Sequence, residues 1–452
     1  MPRIVFWSLL GTVVLSPVPF GSIYPWSYSL IAVVVALLIG LWTVHTLFSR
    51  APLPIPVRHV SGPVLLFGGV ILWACIQMSP WTPASWHNPV WAETSRILGQ
   101  NIPGFISVDP YATETSIMRL LSYAGIFWLA LQFGKSTQRA KQVFYVIAVS
   151  GLLYASYGIA VELTGMKKIL WFDKEFYPDS LTSTFRYKNG YATYAGMGLV
   201  CTLALLVRSL GDTNFSALGA QEKARVLITL LFERVWFLIV GLVALFSALL
   251  LSDSRGGMLA GLIAGGAFFV ALSLARNLMI PFRRAFVRAL ALAAIAFVFI
   301  GGGAIFDRLA NSGAGSRTLI YAKTIEAIRE HPFLGWGLGT FEPVFATYHP
   351  PEIATRIIRA HNEYLDNAQG LGIPATVALV ACFIWLAFIC LRGVRLRKRN
   401  HYFPAAGFAV LVLVGLHSIV DFTLQIPAVA ATLALVLGTC VAQSRSSSDP
   451  NA

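Results

Sequence analysis

The run Ile31-Ala32-Val33-Val34-Val35-Ala36-Leu37-Leu38-Ile39-Gly40-Leu41 carries no polar side chain on any face, and the same holds from Ala289 to Ile300. A surface helix of a soluble protein shows polar positions at the 3.6-residue period. A membrane β-barrel strand alternates apolar and polar residues over about 10 positions. Neither pattern is present. The first run extends over about 27–48, enough to cross a hydrocarbon layer that takes roughly 20 residues. The rest of the chain agrees: of 452 residues 56% are hydrophobic and 12% charged, and the mean hydropathy is +0.69. This composition excludes a soluble globular protein.

Further apolar runs lie at about 4–20, 62–80, 117–134, 141–161, 189–208, 235–252, 257–275, 287–307, 371–391, 402–420 and 426–443. The expected fold is therefore an all-α polytopic membrane protein of about twelve spans, a single integral membrane domain over 1–443 with a polar tail over 444–452. The formal charge of +14, from 34 Lys and Arg against 20 Asp and Glu, is not evenly spread. One alternate set of connectors collects Arg50, Arg58, Lys135, Arg139, Lys141, Arg208, Arg283, Arg284, Arg395, Arg397 and Arg399 with almost no acid. By the positive-inside rule that set is cytoplasmic, as are both termini. The basic excess thus reads as a topology signal with anionic-lipid contact, and implies no nucleic-acid partner. Arg3 before an apolar run resembles a signal peptide, but no small-x-small cleavage site follows before Pro17, so the run is read as an uncleaved span. The five cysteines all fall inside apolar runs, which points to neither disulfides nor zinc.

The opposite face carries the long segments, about 81–116, 162–188 and 308–370. The last is too long for a simple link. It holds three of the eight histidines, His331, His349 and His361, with Arg308, Arg317, Lys323, Arg329, Arg356 and Arg359. Ser316 to His331 reads as a surface helix capped by Ser316 and ended by Pro332. Gly335-Trp336-Gly337-Leu338-Gly339 has no preceding strand, so it reads as a sharp turn that packs Trp336 and Phe341 into the bilayer interface rather than as a nucleotide loop. His361 in Ala360-His361-Asn362-Glu363-Tyr364-Leu365-Asp366 is expected at the head of a helix, a suitable general base, with Glu363 or Asp366 orienting or replacing it.

Two arginines stand on this face against the charge bias: Arg186 in Ser183-Thr184-Phe185-Arg186-Tyr187-Lys188-Asn189, and Arg255 in the turn Ser252-Asp253-Ser254-Arg255-Gly256-Gly257. A guanidinium fork suits diphosphate oxygens, and a helix starting near Gly256 adds free N–H groups there. A surface pair between Arg255 and Asp253 is the plainer alternative. Arg119 is a further candidate for a lipid phosphate. His417 and Asp421, four apart, are expected to share a helical face as a hydrogen-bonded pair.

The order of these strings resembles the O-antigen ligase and Wzy-type polysaccharide polymerase superfamily. The match comprises Thr184-Phe185-Arg186 to Asn189, Ser254-Arg255-Gly256-Gly257, the run from His331 to Phe341, and His361-Asn362-Glu363-Tyr364-Leu365 within a long late loop. The resemblance implies a membrane-embedded, GT-C-like glycosyltransferase of the Gram-negative inner membrane, metal-independent, inverting and without cofactor. Its donor would be a glycan on undecaprenyl diphosphate. Its acceptor would be lipid A–core for a ligase or a lipid-linked repeat for a polymerase, with the ligase label slightly favoured. On matching positions, Arg186 and Arg255 would grip the diphosphate and His361 would take the acceptor proton, with Glu363 in support. Lys188, Arg317, Arg359, Asp366 and Arg119 are secondary candidates, and Lys188 beside Asn189 departs from the pattern. A lipid-linked oligosaccharide flippase is the competing class; it would need charges within several spans and short outer loops, which this chain lacks.

Overall fold

Eleven of the expected apolar runs fold as helices in the computed structural model, which describes residues 2–50, 52–211, 219, 221, 222, 225, 229, 233, 235–275 and 314–445. In chain order these are α1 (Pro2–Leu15), α2 (Pro25–Ser49), α3 (Ser61–Gln77), the short α4 (Pro89–Leu98), α5 (Pro110–Gly134), α6 (Thr137–Leu163), α7 (Lys188–Gly211), α8 (Trp236–Leu251) and α9 (Arg255–Ser273). There follow α10 (Ala314–Glu330), α11 (Phe341–Thr347), α12 (Glu363–Leu371), α13 (Ile373–Leu396), α14 (Tyr402–His417) and α15 (Pro427–Ala442). The expected run at 287–307 and the tail at 446–452 lie outside the described residues.

Among the described residues six helices, α2, α5, α6, α7, α9 and α13, are long and apolar enough to cross a membrane. The other five apolar helices, α1, α3, α8, α14 and α15, are shorter, at 14 to 17 residues. A helical multi-pass membrane protein is thus the architecture, and six of its described helices meet the length of a full crossing. The helices start where the sequence supplies caps. Asp109 accepts from the Ala112 N–H ahead of Pro110, Ser136 from Arg139, and Asn362 from Tyr364 and Leu365.

The bundle is built around α7 and α15. Every residue of α15 is buried, while α2 and α13 lie at the periphery and expose Leu37, Leu41, Ile384 and Phe388. Exposed apolar faces of this extent are what a bilayer covers. α15 packs on α5, α9 on α14, α3 on α13, and α6, α7 and α8 on one another. Small residues set the closest of these approaches. A Cβ on Gly438 would run into the Phe127 carbonyl, so glycine allows α15 to lie against the α5 backbone.

Hydrogen bonds gather the irregular segments at one end of the bundle. Leu181 N donates to Leu251 O at 2.9 Å, Glu363 N to Ser418 O at 2.9 Å, and Ala428 N to Gly21 O at 3.1 Å. In the late segment α10 begins at Ala314 and so contains Ser316 inside its first turn instead of as its cap. The turn at 335–339 is also present, with Gly337 at φ +107°, a conformation that needs glycine. Its aromatics pack on protein, Trp336 half-buried and Phe341 buried. Trp336 N and Gly337 N donate to Gln369 O and Gly370 O, the Trp336 indole donates to Ala327 O at 2.8 Å, and Phe341 is buried with Ile320, Phe345 and Ala360. The backbone groups of the turn find partners at the α12–α13 junction, and this pulls both aromatics into the protein.

Candidate functional site

Two helix N-termini meet at the loop-rich end. α7 begins at Lys188 and α9 at Arg255, and two bonds tie their starts together: Lys188 Nζ to Asp253 Oδ2 at 2.9 Å, and Ser254 Oγ to Asn189 Oδ1 at 2.8 Å. Ser254 also caps α9, accepting from Gly257 N. A Cβ on Gly257 would lie 2.6 Å from the Ala192 Cβ, so this glycine permits the close approach of the two helices. The N–H groups and positive dipole ends of helix N-termini favour an anion at this spot.

The arginines expected here differ in their engagement. Arg186 donates to the Tyr24 hydroxyl at 2.9 Å and to Glu175 at 3.1 Å, and lies over the Phe176 ring at 4.5 Å. Arg255 has no ion-pair or hydrogen-bond partner among the described residues, because Asp253, the alternative partner in the sequence, is taken by Lys188. Arg317, on α10, is exposed and likewise has no such partner among the described residues; its charge is felt at Tyr177 and Tyr321.

His361 stands just before α12, in the left-handed region at φ +53°. Its carbonyl accepts from the Tyr321 hydroxyl at 2.9 Å, so α10 holds it in a conformation that costs on the order of 1 kcal/mol. Its Nδ1 lies 3.4 Å from Asp421 Oδ1 and its ring packs edge-on to Phe422 at 4.9 Å, leaving the side chain 27% exposed. Phe422 in turn meets Tyr187 at 5.4 Å, which joins the histidine to the Arg186 segment. Burial alone would raise the Asp421 carboxyl. His361, His417 and the Phe422 N–H nevertheless hold it below its usual range, so it stays a carboxylate.

This corrects two sequence expectations. His417 and Asp421 do not pair along one helix, because α14 ends at His417; its Nδ1 bonds Thr193 at 2.7 Å, and the chain then turns to aim Asp421 at His361. The partner of His361 is Asp421, neither Glu363 nor Asp366. Asp366 pairs with Arg359 at 3.5 Å and accepts from Ala360 N at 3.3 Å. Glu363 is buried and fully engaged, accepting from Leu424 N at 2.7 Å, Gln425 N at 3.1 Å and Gln425 Nε2 at 3.0 Å. It braces the turn that carries Asp421. Asp421 was visible in the sequence as a polar residue at a helix end; its place beside His361 depends on the 418–426 turn. Arg119 donates to the Gln425 carbonyl and lies 5.5 Å from the Tyr28 ring, on the far side of that turn. Among the described residues no three His, Cys, Asp or Glu side chains converge.

Burial, with the neighbouring Asp366, raises Glu363 to about 7 from the ordinary 4.5. Between those values the folded protein keeps a proton that the unfolded chain has released, so this group's contribution to stability falls as pH rises through that window. Glu363→Gln removes the dependence. Relative to the wild type, the variant gains up to ~1.4 kcal/mol per pH unit between those limits. Thermal unfolding in detergent across a pH series reads the difference, and parallel curves for the two proteins would contradict it.

Comparison with known proteins adds a family. Residues 240–380 match the model of the O-antigen ligase family. The stretch runs from α8 into α13 and includes Arg255, Arg317, Arg359, His361, Glu363 and Asp366, whereas Arg119, Arg186, Lys188 and Asp421 lie outside it. No curated protein matches the sequence. Over residues 240–380, then, the chain is similar to the O-antigen ligase family.

Proposed function

We propose that the protein transfers a glycan from undecaprenyl diphosphate to a sugar hydroxyl at the periplasmic face of a Gram-negative inner membrane, with both termini cytoplasmic and with inversion at the anomeric carbon. The observation that carries this reading is the imidazole–carboxylate pair of His361 and Asp421, set beside two joined helix N-termini, with Arg186 just ahead of α7 and Arg255 opening α9.

Asp421 favours the tautomer with the proton on Nδ1, which leaves Nε2 to accept the proton of the acceptor hydroxyl. The acceptor oxygen forms its bond to the anomeric carbon as the bond from that carbon to the diphosphate oxygen breaks. Negative charge then builds on the leaving diphosphate, where Arg255, Arg186 and the N–H groups of α7 and α9 stabilise it without a resident cofactor. The proton on His361 leaves to water after product departs. Lys188 secures the α7–α9 junction, Arg359 and Asp366 fix the segment entering α12, and Arg317 adds positive potential.

The acceptor separates two readings. The family label and the late-loop histidine arrangement favour lipid A–core, hence a ligase. A narrow membrane slot beside the site, described below, favours a lipid-linked repeat, hence a polymerase. The test is a reconstitution of the purified full chain in nanodiscs with a single-repeat undecaprenyl-diphosphate glycan, with lipid A–core added or withheld. A single shifted product that requires lipid A–core identifies a ligase, and a ladder without it a polymerase. No transfer in either arm by folded protein would overturn the reading.

A further inference from the structure

On the far side of the Asp421–Gln425 turn from Arg255 lies a cavity of about 480 Å3 between α3, α5, α13 and α15. Its walls are apolar, with Phe67, Leu120, Phe127, Leu386, Leu433 and Leu437 among them. Along α5 it runs from Ser116 to Trp128, about 18 Å at 1.5 Å per residue. Spread over that length, the volume leaves room for one hydrocarbon chain. Its loop-rich end is polar, formed by Ser116, Arg119, Asn367 and Gln425 together with Glu363 and Asp366. The two carboxylates are turned onto their own partners, Leu424, Gln425, Ala360 and Arg359. Arg119 is the cation facing the cavity, and its Nε is buried without a hydrogen-bond partner. The side toward the lipid is open between α3 and α5: Val64 and Leu121 are exposed, and a Cβ on Gly68, which lines the cavity, would meet nothing within 4 Å.

We infer that this slot binds the hydrocarbon chain of a single-chain polyisoprenyl phosphate with its phosphate at Arg119, as the carrier lipid of the acceptor. The inference rests on the transfer reading above. An apolar slot one chain wide, open to the bilayer and ended by a half-buried cation, fits a single-chain lipid phosphate, whereas a diacyl or polyacyl lipid would leave its other chains outside. None of the lining residues comes from α7, α9 or α10, the helices of Arg255, Arg317 and the Arg186 segment. A chain in the slot therefore belongs to a different molecule from a diphosphate held there. The partition between the two sides is the turn that carries Asp421, braced by Glu363, and His361 stands on it.

The test is photolabelling of the full chain in phosphatidylethanolamine–phosphatidylglycerol nanodiscs with a diazirine-bearing polyprenyl monophosphate, adducts being mapped to peptides. The expected adducts fall on α3 and α5 near Gly68 and Leu121, are competed by unlabelled polyprenyl phosphate, and drop about tenfold in Gly68→Phe and in Arg119→Gln. They persist in the Arg186→Ala, Arg255→Ala double variant. Loss of slot labelling in that double variant would assign the chain to the donor and overturn the proposal. So would labelling that unlabelled polyprenyl phosphate fails to compete, or adducts elsewhere only. Gly68→Phe projects into open space, and an unchanged thermal midpoint verifies its fold; a shifted midpoint passes the decision to Arg119→Gln. The readout is binding, so a failure here is distinguishable from a failure of the transfer reading, which the reconstitution reads.

Discussion

Replacing His361 with glutamine lowers glycan transfer by about 10^2–10^4-fold, the range that a positioned general base contributes, with lipid-linked donor binding unchanged. Glutamine keeps a polar side chain beside Asp421 and Phe422 but has no nitrogen that can accept the acceptor proton. The loss falls on kcat because the proton moves only in the transition state. Asp421→Asn is expected to lose less and also mainly in kcat, since the carboxylate 3.4 Å from Nδ1 acts through the imidazole and not on substrate. The measurement is product formation at saturating donor with each purified variant. Transfer by H361Q within about threefold of wild type would remove His361 from the chemistry, because general-base loss is expected to exceed 10^2.

Arg255→Ala is expected to reduce transfer by about 10^2–10^3-fold, the effect of deleting one donor aimed at developing negative charge. Arg255 is the more sensitive of the two arginines expected at the diphosphate. Arg186 is already bonded to Tyr24 and Glu175, so part of its charge is spent on structure, whereas Arg255 at the start of α9 has no such partner among the described residues. Arg255→Lys restores the charge but not the two-pronged geometry and recovers only part of the loss. Transfer assays on R255A and R255K read this ranking. Equal activity of R255A and wild type would show that the diphosphate is held elsewhere.

Both predictions join residues that lie far apart in the chain, and this shows where sequence reading ends. The membrane class was legible because apolar runs such as Ile31–Leu41 have no stable place in water. Arg186 and Arg255 stood out because a guanidinium at a helix end, against the charge bias of its face, has few uses other than an anion or a partner. His361 stood out because its segment leads into the apolar run at 371–391, which puts an imidazole suited to proton transfer at a helix head. Glu363 was misjudged as support for the histidine because the two are sequence neighbours. In the fold it turns away to accept three hydrogen bonds from Leu424 and Gln425.

The sequence by itself determined that the chain is a bundle of apolar helices with its polar chemistry in segments at one end, since periodicity and charge bias are local properties that need no partner. Only the tertiary structure decided that Asp421 rather than Glu363 faces His361, that Asp253 is held by Lys188 and Arg255 has no partner among the described residues, and that a slot headed by Arg119 lies across the turn from both. Each of these depends on where a helix stops and which way the next few residues turn. At α14 that choice is fixed by the packing of His417 on Thr193 and of Glu363 under Gln425, contacts between positions more than 60 residues apart.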